Sequence, residues 1–241
     1  MELDAEVLID RGPDARLLVL LHGYGLPSSD LTDRLDRIDP EGRCSVVVPT
    51  APFERKGRAI WHRALLSDPE GAAQQFHASV RALDVLLGRL ADGLGTDLDR
   101  AVVGGFSQGG GLGIALLLAA DLAHRPGAAF GVCSFPPAFG GFVVDRASAA
   151  GRPCFLSSAH GDHFAPIESS RPGAALLVEL GLDLTYVETD TDHVMTDEAA
   201  DAIGDWLARL DDVGDRREGH ELLAGITGRH EHYDGLWQFA S

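Results

Sequence analysis

A serine set between glycines is the residue of this sequence best suited to covalent chemistry. Gly105-Phe-Ser107-Gln-Gly109 fits the pattern G-x-S-x-G; the apolar run Arg100-Ala-Val-Val103 precedes it and a helical pattern follows. A serine on a sharp strand-to-helix turn sits in a strained backbone conformation with its hydroxyl presented outward. Flanking glycines let strand and helix approach without a side-chain clash. Attack by such a serine on an acyl carbonyl creates an oxyanion, which two preorganised N–H donors must hold. One donor comes from the residue after the nucleophile, here Gln108, which also opens the helix and stands at the positive end of its dipole. The other comes from a loop after an earlier strand. The turn His22-Gly-Tyr-Gly25 follows the run Arg16 to Leu21 and offers the N–H of Tyr24. His22 is expected to hold this turn by hydrogen bonds rather than to act as a base.

These groups need a scaffold, and the pattern of the chain describes one. Short apolar runs at 16–21, 45–48, 100–103, 128–133, 153–157 and 183–188 read as buried strands. Between them, helical spacing recurs over roughly 70–92, 108–124, 167–180 and 195–210. Buried strands alternating with helices indicate an α/β domain with a mostly parallel sheet covered on both faces. In such sheets functional groups collect at the carboxyl ends of the strands. The turns after Leu21, Val103 and Ser157 are therefore where partners for Ser107 are sought.

Several motifs together resemble a known family. The run Leu21-His-Gly-Tyr-Gly25 with Asp30 beyond, Pro49-Thr-Ala-Pro52, Arg58-Ala-Ile-Trp61 and Gly105-Phe-Ser-Gln-Gly-Gly110 are similar to the phospholipase/carboxylesterase family, over roughly residues 15–210. The resemblance implies an α/β-hydrolase fold without a large lid domain, a Ser-His-Asp triad, a shallow acyl groove and no cofactor. It implies the order Ser, Asp, His along the chain. The family's acid lies in the pattern H-G-x-x-D-x-x-V-P, and this chain reads His160-Gly-Asp-His-Phe-Ala-Pro166. Alignment on His160-Gly161 puts Phe164 at the acid position, where no carboxylate exists. Alignment on the proline puts Asp162 four residues before Pro166, as the family's acid stands, so Asp162 is the expected acid. The expected base is His193, within Asp192-His193-Val-Met195 ahead of the last helix. The family usually has Gly-His there, so Asp192 is a departure.

Trp61, Phe135, Phe164 and Met195 are expected to line the substrate pocket. Three widely spaced cysteines, Cys44, Cys133 and Cys154, read as buried free thiols, and no spacing suggests a zinc site. His160 with His163, and His230-Glu-His232, read as solvated histidines, so no metal is expected. A net charge of −17 repels phosphate backbones and anionic lipid, which argues against nucleic acid and acidic membranes as partners. No apolar run is long enough to span a bilayer, and no leader is read at the N-terminus, so a cytoplasmic protein is expected. Residues 1–210 are expected to form the catalytic domain. Residues 211–241 are expected to form an extension, docked on that domain or on a second subunit of a homodimer. The expected activity is cleavage of a small-molecule carboxylic ester or thioester through an acyl-serine. Acyl transfer, cyclisation or acid–base chemistry at the same site, and a non-catalytic binding role, are the alternatives.

Overall fold

The apolar runs become the strands of one sheet. The computed structural model describes residues 1–64, 68–211, 218–226 and 237–240. From the N-terminus come β1 (Ala5–Ile9), β2 (Arg16–Leu21), α1 (Ser29–Thr32), α2 (Leu35–Ile38) and β3 (Cys44–Pro49). A short hairpin, β4 (Phe53–Arg55) and β5 (Arg58–Ile60), leads to the long helix α3 (Pro69–Leu94). Then follow β6 (Val102–Phe106), α4 (Gln108–Leu118), β7 (Ala128–Val132), β8 (Phe142–Val144) and α5 (Arg146–Ala149). The order closes with β9 (Pro153–Ala159), α6 (Ile167–Glu179), β10 (Asp183–Thr189), α7 (Asp197–Ala208) and β11 (Trp237–Phe239).

Among the described residues, seven strands form the main sheet in the order β1-β3-β2-β6-β7-β9-β10. Only β1 runs antiparallel, against β3. Side chains of a strand alternate between faces, and β2 shows the consequence. Leu17, Val19 and Leu21 join one core with α3, α4 and α6, whereas Leu18 and Leu20 join a second with α1, α2 and α7. The fold is thus an α/β-hydrolase-type sheet with helices on both faces. No described helix is long and apolar enough to cross a membrane.

Helix α3 shows how local chemistry fixes an element. The Asp68 carboxylate accepts the Gly71 N–H at 3.0 Å, Pro69 opens the first turn, and Gly95 at φ 66° ends it. Its apolar face, including Phe76, Val80, Leu83 and Leu87, is buried. Helix α4 is shorter than its sequence suggests. The expected helix runs to His124, but the observed one stops at Leu118. Ala119 bridges to Val144, and the Ala120 N–H bonds Val143 O at 2.8 Å, so pairing with β8 draws the chain out of the helix.

The described parts of the C-terminal segment lie against the domain. Glu218 O accepts the Tyr186 N–H of edge strand β10 at 3.0 Å. Trp237 is buried, packs its ring 5.9 Å from that of Phe142, and donates Nε1–H to Pro137 O at 2.6 Å. His230 and His232 lie outside the described residues.

Candidate active site

Five strands of the parallel sheet deliver the site at their carboxyl ends. Strand β2 runs into His22, β6 into Ser107, β7 into Cys133, β9 into the loop of Asp162, and β10 into the loop of His193. Ser107 has φ 53° and ψ −117°, a left-handed conformation that costs a non-glycine residue about 1–3 kcal/mol. Its surroundings hold it there. The Ser107 N–H bonds Val132 O at 2.9 Å, and the Ser107 carbonyl accepts Gly111 N–H at 3.1 Å and the Ser134 hydroxyl at 3.0 Å. The flanking glycines are required by close approach. A Cβ on Gly105 or Gly109 would stand 1.9 or 2.1 Å from Leu21 O, so both strand β6 and helix α4 press on the end of β2.

His193 joins the other two groups. Its Nε2 lies 3.0 Å from Ser107 Oγ and its Nδ1 lies 2.7 Å from Asp162 Oδ2. The Asp162 side chain is fully buried, and that of His193 is 16% exposed. Asp162 Oδ1 accepts the N–H groups of Phe164 at 2.8 Å and Ala165 at 2.7 Å. Those bonds are short and local, and they fix which carboxylate oxygen faces the imidazole. The two loops are also zipped together: His160 N–H bonds Thr189 O and Gly161 N–H bonds Thr191 O, each at 2.9 Å. The Phe106 ring packs 4.8 Å from the imidazole and the Phe164 ring 5.1 Å from it.

Cys133, at the carboxyl end of β7, sits beside His193. Its thiol lies 3.9 Å from Asp192 O and 3.7 Å from Val194 O, the carbonyls on either side of His193. Burial first, and the Asp162 charge second, push the thiol up to about 12. Cys133, Asp162 and His193 are the one trio of ligand-type groups among the described residues within 4.8 Å of one another. Within that trio Asp162 and His193 are bonded to each other at 2.7 Å.

The turn of Tyr24 and the start of α4 at Gln108 are braced by structure the sequence did not reveal. His22 Nδ1 lies 2.8 Å from Gly23 O and its Nε2 accepts the Ala51 N–H at 3.2 Å; burial lowers its pKa. These are the bonds of a neutral, turn-holding imidazole. The Trp61 indole N–H bonds His22 O at 2.9 Å. The Gln108 side chain accepts the Trp61 N–H at 3.3 Å and donates to His62 O at 2.9 Å. Burial lowers the His62 pKa to about 4.

Two of the expected pocket residues are core residues instead. Trp61 is fully buried, locked by its indole bond to the His22 turn, and Met195 is buried in the core beneath α7. Large apolar side chains dominate cores, and neither offers surface to a ligand. Phe135 is half-buried, and Phe164 is 79% exposed beside His193. Tyr24 is exposed at the rim. His160 is paired with Glu188 at 3.2 Å, which Arg171 also clamps.

Residues 3–170 match the family described as phospholipase/carboxylesterase. No curated protein matches the chain. Among solved structures, the Bacillus cereus carboxylesterase superposes with a TM-score of 0.74 at 18% identity, covering 86% of this chain and 94% of that one. The carboxylesterase of Mesorhizobium loti gives 0.68 at 22%, with 86% and 94% covered. SOBER1 of Arabidopsis thaliana gives 0.66 at 17%, with 81% and 98% covered. At these identities the structural likeness speaks for the fold.

Proposed function

Because the chain belongs to the phospholipase/carboxylesterase family, and so to the esterase-type hydrolases, we propose that it cleaves small carboxylic esters or thioesters through an acyl-serine intermediate on Ser107. The observation that carries this reading is the imidazole of His193 bonded at both nitrogens, to Ser107 Oγ at 3.0 Å and to Asp162 Oδ2 at 2.7 Å. An Nδ1–H held by a buried carboxylate leaves Nε2 as the proton acceptor, which is the tautomer a general base needs.

The steps follow from that arrangement. Ser107 Oγ attacks the carbonyl carbon as His193 Nε2 takes its proton. The carbonyl oxygen becomes an oxyanion, held by the backbone N–H groups of Gln108 and Tyr24. Gln108 suits this role as the first residue of α4, where an N–H has no intrahelical acceptor. Collapse of the tetrahedral intermediate breaks the bond to the leaving alcohol or thiol, which departs with the proton from His193. Water then repeats the sequence on the acyl-serine, and Ser107 is regenerated. Asp162 orients the imidazole and steadies it while charged. Exposed Phe164 beside His193 suits a site open to small substrates at a shallow mouth.

A fluorophosphonate tests this reading, because it phosphonylates only an activated serine. Intact mass spectrometry is expected to show one adduct per chain, lost in Ser107→Ala and strongly slowed in His193→Ala. Undiminished labelling of Ser107→Ala would refute the assignment.

A further inference from the structure

In a chain of net charge −17, three cations without an ion pair among the described residues stand together on hairpin β4–β5. The segment reads Phe53-Glu-Arg-Lys-Gly-Arg-Ala-Ile60. Arg55, Lys56 and Arg58 are all exposed, and none has an ion-pair partner among the described residues. Arg63, just beyond, is paired with Asp68 at 2.6 Å. The arrangement repels itself. Arg55 and Arg58 stand directly opposite in register, where like charges are destabilising. Glu54, on the opposite face of the ribbon, forms no ion pair with them among the described residues. Lys56 and Gly57 form the turn at φ 51° and 75°, a two-residue mirror turn whose first position favours asparagine, aspartate or glycine. A lysine there is strained, and it places a third positive charge at the tip.

The hairpin is fastened to the oxyanion elements. Arg55 Nη1 donates to Tyr24 Oη at 3.1 Å. Ala59 O accepts the Gly25 N–H at 3.0 Å. The Arg58 side chain runs over Gly25, with its Cβ and Cδ 3.3 Å from where a Cβ on Gly25 would stand. Just past the hairpin, Trp61 N–H bonds the side chain of Gln108, the residue after Ser107. On the other side of the site, the loop of His193 carries exposed Asp190 and Asp192. The hairpin beside Tyr24 thus carries three exposed cations, and the loop of His193 carries two exposed carboxylates.

We propose that Arg55, Lys56 and Arg58 form an anion-recognition element that selects esters or thioesters carrying a second, ionised acid group. The inference rests on the hydrolase reading above. In a field that otherwise repels anions, these cations supply the local attraction, and the acidic loop of His193 turns the anionic end toward the hairpin. A self-repelling cluster with no ion pair among the described residues gains an anionic partner when such a substrate binds.

Two matched pairs of substrates test it and locate the acid group. p-Nitrophenyl hydrogen adipate against p-nitrophenyl hexanoate places the carboxylate on the acyl side. p-Hexanoyloxybenzoate against phenyl hexanoate places it on the leaving group. Single exposed ion pairs are worth about two- to fivefold, so the three together are expected to favour the anionic member of one pair by about tenfold in kcat/KM at low salt. The ratio is expected to fall toward unity near about 0.5 M salt, where screening is short-ranged. It is also expected to collapse in Arg55→Gln/Lys56→Gln/Arg58→Gln, to fall partway in Arg58→Gln alone, and to persist in Arg81→Gln, an exposed control on α3. Turnover of the neutral esters with a ratio at or below unity in both pairs overturns this inference and leaves the hydrolase reading standing. A ratio unchanged in the triple variant does the same. No turnover of any ester, with no fluorophosphonate adduct on Ser107, overturns both.

Discussion

Asp162→Asn separates the role of the acid's charge and tautomer control from its shape. The two side chains are isosteric, so the buried volume is unchanged. Asp162 Oδ1 accepts two backbone N–H groups, from Phe164 and Ala165. Only the oxygen of an asparagine amide can take that place. The amide NH₂ is then pinned where Oδ2 now stands, 2.7 Å from His193 Nδ1. It must donate, so Nδ1 must accept, and the imidazole proton moves to Nε2, facing Ser107 Oγ. An Nε2–H cannot accept the serine proton. Loss of the correct tautomer costs a triad roughly 10⁴ in kcat, or about 5.5 kcal/mol of transition-state stabilisation. The assay is kcat and kcat/KM for p-nitrophenyl acetate, with thermal unfolding recorded beside it to confirm a folded protein. Asp192→Asn is the companion. Its carboxylate is exposed, so a change within about threefold is expected. A folded Asp162→Asn enzyme within tenfold of the parent would refute the reasoning, and a large loss in Asp192→Asn instead would reassign the acid.

Three further outcomes follow from the structure. Gly109→Ala drives a methyl to 2.1 Å from Leu21 O, a backbone atom that cannot swing aside; a loss of about 3 kcal/mol or more is expected in urea unfolding, and an unchanged midpoint would contradict the close packing of α4 on β2. Cys44, Cys133 and Cys154 are buried with thiols pushed up to about 12; the native protein is expected to show no fast reaction with a thiol reagent at neutral pH and all three cysteines after denaturation, whereas one fast native thiol would mean an open path to Cys133. His62 has a folded pKa of about 4 against an ordinary 6.5, so between those values the unfolded chain binds a proton that the folded chain refuses. Its contribution, about 1–3 kcal/mol, is complete above pH 6.5 and is lost as pH falls toward 4. His62→Phe is expected to flatten unfolding free energy against pH across that window, and an identical slope would contradict it.

Much of this was legible in the sequence because it is local. Strands β2, β3, β6, β7 and β9 read as mostly apolar runs because a parallel sheet buries both their faces, and edge strand β10 was read from Leu184, Tyr186 and Val187. Edge strand β1 escaped because it exposes Val7 and Leu8, and β4, β5, β8 and β11 because three residues carry no period. The overrun of α4 has a tertiary cause: Leu112 to Leu118 are apolar all round, and the stop comes from pairing with β8. Ser107 was plain, since its strain and its glycines lie within five residues. Asp162 needed a choice of register, and the proline spacing pointed to the carboxylate that reaches His193. Pocket walls were not legible, because Trp61 and Met195 look alike in sequence whether they face a ligand or the core. Cys133 and the hairpin cations were missed for a shared reason. Their meaning lies in what the fold brings beside them, the loop of His193 in one case and Tyr24 in the other.

The acyl-serine is most directly tested by trapping it. The enzyme is mixed rapidly with p-nitrophenyl acetate, quenched in acid during the first turnover, and mapped by peptide mass spectrometry. The acetyl group is expected on the peptide that carries Ser107, with Ser107→Ala losing both the adduct and the turnover. An acetyl group on another residue, or full turnover by Ser107→Ala, would contradict the assignment of the nucleophile and with it the mechanism.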